Sequence, residues 1–285
     1  MTGASILLVG AGGMLGRDLA AALRGRAVLA LTRAELDVTD AAAVQRAVDG
    51  RDVVINATAY TRVDDAESNE DAASAVNAIA PGILAAASAS AGARLVHVST
   101  DYVFDGTATT PYREDALRNP VSAYGRTKAE GEERVLAEHG DGSAIVRTAW
   151  LYGEHGVSFP ATMLRLAGER ETLTVVDDQR GQPTWSRDLA ERIVELVDLG
   201  TPDGIFHGTN AGATTWFGFA REVFSLAGLD PERIQPTDSA AYQRPAPRPA
   251  YSVLGHDEWA RIGLAPMRDW HAAISAAMAA GIFQR

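Results

Sequence analysis

Short apolar runs alternate with amphipathic stretches through the first half of the chain, the rhythm of βαβ units that build a parallel sheet. The apolar runs predict strands at Ile6 to Val9, Ala27 to Leu31, Val53 to Ala57, Leu95 to Val98 and Ala144 to Val146. Helices are predicted between them at Met14 to Leu23, Ala41 to Val48, about Asp71 to Ala91 and Ser122 to about Glu138. The strands are apolar throughout rather than alternating, which is what burial by helices on both faces requires. After about Trp150 the texture changes. Helices at Arg187 to Val197, Phe217 to Leu226 and Arg268 to Ala280 are separated by Gly- and Pro-rich connections, and Pro245, Pro247 and Pro249 mark one extended stretch.

Composition narrows what such a chain does. Its 285 residues are 46% hydrophobic and 22% charged, enough to bury a sizeable core. The formal net charge of −11 argues against a nucleic-acid or anionic-membrane partner held by a broad basic face. With no cysteine there are no disulfides, thiolate zinc sites or cysteine nucleophiles. The uncharged stretch from Met1 to Gly16 lacks a basic segment and is rich in glycine, unlike a signal peptide. The longest uncharged run, Ala72 to Ala93, is mostly Ala and Ser and holds Asn77, Pro81 and Gly82, so it is a poor membrane span. A soluble, cytoplasmic protein without a membrane partner is expected.

The strand Ile6 to Val9 runs into Gly10, Ala11, Gly12, Gly13, Met14, Leu15 and Gly16, where a helix opens. Glycines there permit a tight turn, let backbone approach a pyrophosphate, and allow strand and helix to pack closely, with the phosphates at the helix N-terminus. The order strand, loop, helix is the context that gives the motif meaning. It predicts an α/β fold class: a Rossmann-type doubly wound parallel sheet with a smaller C-terminal substrate lobe. Residues 1–150 are expected to form the dinucleotide-binding domain. Residues 151–285 are expected to be mainly the lobe, interleaved with the last strands of the core.

An acidic residue about 20 positions past the loop would grip the ribose 2′-hydroxyl of NAD. Arg33 stands there instead, preceded by Thr32, and an arginine suits a 2′-phosphate. NADPH is therefore favoured, while Glu35 and Asp37 keep NADH open should the turn be displaced.

Chemistry is carried by two further segments. Thr100 follows the strand Leu95 to Val98, at the carboxyl end where such folds bind ligands, and Tyr124 and Lys128 stand at i, i+4 spacing on one helix face. A neighbouring ammonium favours an ionised phenol, so Lys128 is expected to bring Tyr124 from its ordinary value of about 10 towards neutrality. Tyr124 would then donate a proton to a substrate oxygen that Thr100 also holds.

At these residues the sequence resembles the extended short-chain dehydrogenase/reductase family. The resemblance rests on the Gly10 to Gly16 loop, Leu36 to Asp40, Asn56 to Thr61 with Val63, Asp64 and Glu67, Ser99 to Gly106, Tyr124 to Lys128, Arg147 to Gly153, Gly181 to Thr184, and Arg248 to Leu254. It implies that Gly13, Met14 and Leu15 line the pyrophosphate, Asp37 and Val38 the adenine, and Ala57, Thr58 and Ala59 the middle of the cofactor. It further implies that Thr100, Asp101 and Trp150 contact a sugar nucleotide. The activity implied is NADPH-dependent reduction of the C4 ketone of dTDP-4-dehydro-L-rhamnose to dTDP-L-rhamnose. Some members are Mg²⁺-bridged dimers whose carboxylates lie at a helix start and just after a Pro-Thr motif. Asp18 matches the first, but Trp185, Ser186 and Arg187 follow Pro183 and Thr184, and an arginine is no metal ligand. No metal is expected, which leaves a homodimer open on other grounds.

Two other classes are weighed. A non-catalytic regulatory subunit, like that of methionine adenosyltransferase, resembles the same family but has no need of an intact Thr100, Tyr124 and Lys128 set. A dehydratase would carry Thr-Asp-Glu at the strand end, where Tyr102 follows Asp101 here, and a fucose-type epimerase-reductase relies on a cysteine the chain lacks. Another nucleotide-sugar reductase or epimerase remains the nearest alternative. His97 is assigned to the core, His155 and His207 to no role, and Trp150, Trp185 and Trp216 are candidate stacking platforms.

Overall fold

A computed structural model describes residues 3–283. Six parallel strands form the central sheet in the order Gly204–His207, Ser143–Thr148, Arg94–Thr100, Val53–Asn56, Ser5–Val9, Ala27–Leu31. From Ser5–Val9 the chain first adds Ala27–Leu31 on one side and then crosses to add Val53–Asn56 on the other. That reversal opens a crevice at the carboxyl ends of the strands, and it is there that ligands bind in such sheets.

Side chains alternate between the two faces of each strand, so one apolar run feeds two cores. Ile6, Leu8, Val96 and Val146 face Leu15 and Leu19 of helix Met14–Ala22 and Leu189 and Ile193 of helix Ser186–Asp198. Leu7, Val9, Leu95 and Ile145 face Val44, Val48, Leu84 and Val135 on the opposite side. The strands expected at Leu95 to Val98 and Ala144 to Val146 run on to Thr100 and Thr148. Their polar ends stay in register, Ser99 opposite Arg147 and Thr100 opposite Thr148, and Glu132 accepts from both Ser99 and Arg147.

The helix expected at Asp71 to Ala91 is continuous but not regular. Glu70–Ser74 and Ala80–Ala91 are α-helical, and Ala75–Ile79 between them is a π turn. Pro81 has no N–H to return to the carbonyl of Asn77 four residues earlier, and an inserted residue accommodates that loss. The Glu70–Ala91 stretch is apolar enough to cross a membrane by length and composition, yet 56% of its 18-residue apolar window is buried inside the fold. It packs between helix Ala41–Val48 and helix Ala123–His139 as a core helix of the sheet.

The second half of the chain leaves the core and returns. Leu173, Val175, Phe219, Val223, Phe224, Trp270 and Ile274 build a separate apolar cluster. Around it lie helices Phe159–Ala167, Trp216–Leu226 and Trp270–Ala279 and the paired strands Leu173–Val176 and Ile234–Thr237. Between visits to this lobe, Ser186–Asp198 packs on the first helix and Gly204–His207 becomes the edge strand of the main sheet. The helix expected from Arg268 starts at Trp270, since Met267–Asp269 pairs as a strand and Asp269 caps the helix through the N–H of His271.

Candidate active site

Two hollows run along the carboxyl ends of the strands. The first, about 550 Å³, is lined by Gly10, Gly12, Gly13, Arg33, Asp37 and Val38. The second, about 510 Å³, is lined by Met14, Leu15, Thr100, Asp101, Tyr124, Lys128 and Trp150. Gly13, Ala57, Thr58 and Ala59 line both, so the hollows are continuous as one groove.

The glycine loop owes its shape to contacts that no side chain could share. Gly10 has φ +86° and lies against the Ala57 backbone, where a Cβ would come within 2.8 Å of the carbonyl carbon. A Cβ on Gly16 would sit 2.1 Å from the Gly10 carbonyl oxygen. Gly16 lines neither hollow, so its work is to let strand and helix pack closely, apart from any contact with a ligand. Gly12 and Gly13 have no such neighbour and leave their backbone open to the groove. Gly13 caps helix Met14–Ala22 without a side-chain bond, so the first-turn N–H groups face an anion's place, the arrangement a pyrophosphate fits.

At the far end Arg33 and Asp37 are exposed and Val38 is buried. Glu35 accepts from the N–H (2.9 Å) and hydroxyl (2.8 Å) of Thr32 through one oxygen. Asp37 does the same with Thr39 at 2.9 and 2.7 Å. Those bonds hold both carboxyls below their ordinary values, and the charge of Arg33 adds to the effect on Asp37. Each carboxylate thus commits one oxygen to its own turn, while Arg33 reaches the groove as a cation. Asn56 supports the middle: its carbonyl oxygen accepts from the N–H (3.0 Å) and hydroxyl (2.6 Å) of Thr58, and its amide donates to His97 Nδ1 at 3.0 Å.

In the second hollow the polar groups are shielded from water. Thr100 Oγ1 accepts from the Tyr102 N–H at 3.2 Å and donates to Asp101 Oδ1 at 3.0 Å. The Tyr124 hydroxyl lies beside the Thr100 side chain, which favours its ionised form. Burial nevertheless pushes the Tyr124 phenol up to about 12, aided by the charge of Asp101. This corrects the expectation that Lys128 draws the phenol towards neutrality. The Lys128 ammonium donates to the Val98 carbonyl at 2.7 Å, and burial pulls it down to about 8 against the opposing charge of Glu132. Its charge serves the strand rather than the phenol.

Trp150 holds a left-handed backbone, φ +46°, that non-glycine residues seldom adopt. Its indole stacks on Trp216 at 3.6 Å between ring centres, and a Cβ on Gly181 would come 2.5 Å from that ring. One face of the Trp150 ring is therefore already taken. Trp185 lies in the lobe's apolar cluster, outside the groove, beneath Arg187 and Arg268. His97 is fully buried, and His207 lies buried between Arg147 and the Gly255 carbonyl. Asp18 accepts from the Ser186 hydroxyl. Among the described residues no group of three or more His, Cys, Asp or Glu could hold a metal ion.

Three site neighbours were given no role by the sequence reading. Glu132 follows Tyr124 and Lys128 at the same four-residue spacing and is fully buried. It accepts from Ser99 at 2.5 Å and from Arg147 at 2.9 and 2.7 Å, tying the helix to two strands. Asn77, in the π turn, bonds the Tyr60 backbone and the Thr127 hydroxyl and so fixes the same helix to the groove. Ser252, from the late extended stretch, faces the Asp101 carboxyl. One signal was available: Lys128 is the chain's single lysine, all other basic residues being arginine. A lysine kept where arginine serves everywhere else marks a need for a compact cation whose charge responds to burial.

Residues 4–282 match the family model described as RmlD substrate binding domain. The chain is 51% identical over 277 residues to a dTDP-4-dehydrorhamnose reductase of Streptomyces griseus, covering 94% of this chain and 91% of that one. It is 50% identical over 275 residues to a dTDP-4-keto-6-deoxy-D-glucose reductase of Streptomyces niveus, covering 95% of each. A crystal structure of dTDP-4-dehydrorhamnose reductase from Bacillus anthracis in complex with NADP superposes with a TM-score of 0.93 at 35% identity, covering 98% of this chain and 99% of that one.

Proposed function

The chain belongs to the RmlD substrate binding domain family, and on that premise we propose that it is an NADPH-dependent reductase of the C4 ketone of dTDP-4-dehydro-L-rhamnose, giving dTDP-L-rhamnose. One observation carries this most: Thr100, Tyr124 and Lys128 meet in a hollow continuous with the glycine-lined groove. The family assignment and the NADP complex of a close structural relative support the cofactor and the class of substrate.

In this proposal residues 1–150 hold the cofactor and the catalytic groups. Residues 151–285 supply mainly the substrate side, returning to the core through Ser186–Asp198 and Gly204–His207. The backbone of Gly10, Gly12 and Gly13 and the start of the helix at Met14 and Leu15 would hold the pyrophosphate. Arg33 would face the 2′-phosphate, Asp37 and Val38 the adenosine, and Ala57, Thr58 and Ala59 the middle. When bound, reduced nicotinamide supplies the hydride. Tyr124 donates the proton to the nascent alkoxide, Thr100 orients the carbonyl, and Lys128 holds the ribose. Asp101 and Trp150 border the sugar. The place of action is the cytoplasm, where nucleotide sugars are built.

The Streptomyces niveus relative favours a second substrate, dTDP-4-keto-6-deoxy-D-glucose, on the same chemistry. Oxidation of NADPH and NADH measured with a panel of dTDP- and UDP-linked 4-keto-6-deoxy sugars decides between them. Turnover of dTDP-4-dehydro-L-rhamnose below that of the D-sugar overturns the first assignment, and no turnover of any member overturns both.

A further inference from the structure

The buried Asp101 carboxyl borders the sugar in the reading above but takes no part in proton transfer as derived so far, and its surroundings are unusual. It is 1% exposed, shares a hydrogen bond with Thr100 at 3.0 Å, and its Oδ2 has no hydrogen-bond partner among the described residues. A buried carboxyl oxygen left unpaired is costly when ionised and far less so when it carries a proton. Thr100 Oγ1 stands between this carboxyl and the Tyr124 hydroxyl, and all three residues line the same hollow.

We propose that Asp101 is a proton reservoir that restores Tyr124 through Thr100 during turnover. This rests on the reductase reading above. When the Tyr124 O–H bond breaks and the proton joins the substrate oxygen, a phenolate is left in a buried site that disfavours it. Thr100 Oγ1 gives its single proton to the phenolate and receives the proton that Asp101 carries on Oδ1, the oxygen it faces at 3.0 Å. Tyr124 and Thr100 end as they began, and Asp101 ends as a carboxylate. Hydride and proton have both gone to the ketone, and Asp101 regains its proton from water when product leaves the hollow.

The groups facing Asp101 are consistent with a carboxyl that changes charge near neutral pH. Burial pushes it up to about 6, opposed by the nearby hydroxyls of Ser252 and Thr100 and by the N–H groups of its own turn. Tyr124 and Lys128 approach from helix Ala123–His139, and the Lys128 ammonium is engaged by the Val98 carbonyl. Beyond Tyr102, Arg248 and Asp64 neutralise one another through paired bonds of 2.6 and 3.1 Å.

The test is the pH dependence of kcat for wild type, Asp101→Asn and Ser252→Ala with NADPH and dTDP-4-dehydro-L-rhamnose. Wild-type kcat is expected to fall as pH rises through a limb set by Asp101. Asp101→Asn is expected to lose at least about tenfold in kcat on the acid side, to lose the limb, and to keep its NADPH Kd. In Ser252→Ala the limb should move to higher pH, because a nearby hydroxyl that favours the carboxylate is gone. A limb that survives in Asp101→Asn, or a kcat within about twofold of wild type, overturns the proposal. Should Asp101→Asn fail to fold, an unmoved limb in Ser252→Ala overturns it instead. If wild type reduces no sugar on the panel, the reductase reading has failed, and the reservoir is then read directly by infrared titration of the unreacted protein. A carboxyl band that titrates near neutrality and is altered in Ser252→Ala supports it, and the lack of one overturns it.

Discussion

At the adenosine end of the groove the protein offers backbone N–H groups, glycines and exposed side chains, whereas at the catalytic end the polar side chains are buried. Gly12 and Gly13 act by lacking a side chain, and Arg33 stands in water. Thr100, Asp101 and Lys128 are 6%, 1% and 1% exposed, and there burial pushes the Asp101 carboxyl and the Tyr124 phenol up and pulls the Lys128 ammonium down. Binding can be built from geometry that solvent tolerates. Proton transfer needs groups whose charge the surroundings control, and exclusion of water provides that control.

The contrast is broken most directly by Tyr124→Phe, which removes only the hydroxyl. A loss of about 10²–10⁴-fold in kcat is expected, with NADPH Kd almost unchanged by fluorescence titration. A variant retaining more than about a tenth of wild-type kcat would remove Tyr124 as the proton donor.

At the exposed end Arg33→Ala should weaken NADPH and spare NADH. A charge-assisted bond to phosphate is worth about 1.5–3 kcal/mol, or roughly 10- to 150-fold in affinity. The gain is trimmed by Glu35 and Asp37, which stay ionised nearby. An unchanged ratio of the two Kd values would show that cofactor choice is made elsewhere.

Gly16→Ala tests whether the loop's glycines divide into packing and binding roles. Its Cβ would stand 2.1 Å from the Gly10 carbonyl oxygen, so backbone must move, at a cost of about 1–3 kcal/mol in denaturant unfolding. Gly12→Ala, with nothing nearer than 3.6 Å, should leave stability almost untouched and act on cofactor affinity alone. Equal stability losses in the two variants would erase the distinction.

The smallest effect concerns Lys128. Its folded value, about 8, lies below the ordinary 10.5, so at neutral pH the protein bears the cost of burying a charge. That cost is relieved as pH rises through the folded value towards the unfolded one. Lys128→Met should therefore melt a few degrees higher at neutral pH, about 2–4 °C for each kcal/mol recovered, while binding NADPH more weakly. A melting midpoint that falls would show that the bond to the Val98 carbonyl outweighs desolvation.

Much of the frame was readable before folding. Five core strands, the glycine loop, the helix Ser122 to Glu138 and the pairing of Tyr124 with Lys128 all follow from periodicity and steric rules acting over a few residues. Other features depend on partners distant in sequence. The strand Gly204–His207 has little pattern of its own and exists because Ser143–Thr148 offers it an edge. Ser99 and Arg147 extend their strands because Glu132 satisfies polar groups that the hydrophobic pattern would have left outside.

The sequence by itself determined where the glycine turn lies and which reactive side-chain types stand near it, because both are local matters of backbone freedom and side-chain type. Only the tertiary structure decided what charge those residues bear. Tyr124 and Lys128 share a helix face, yet the ammonium turns to the Val98 carbonyl and the phenol stays protonated, because helices and strands from across the chain exclude water from both. The stack of Trp150 on Trp216 was equally out of reach, since it joins the end of the core to the lobe. Such contacts are made by packing, and packing is a property of the whole fold.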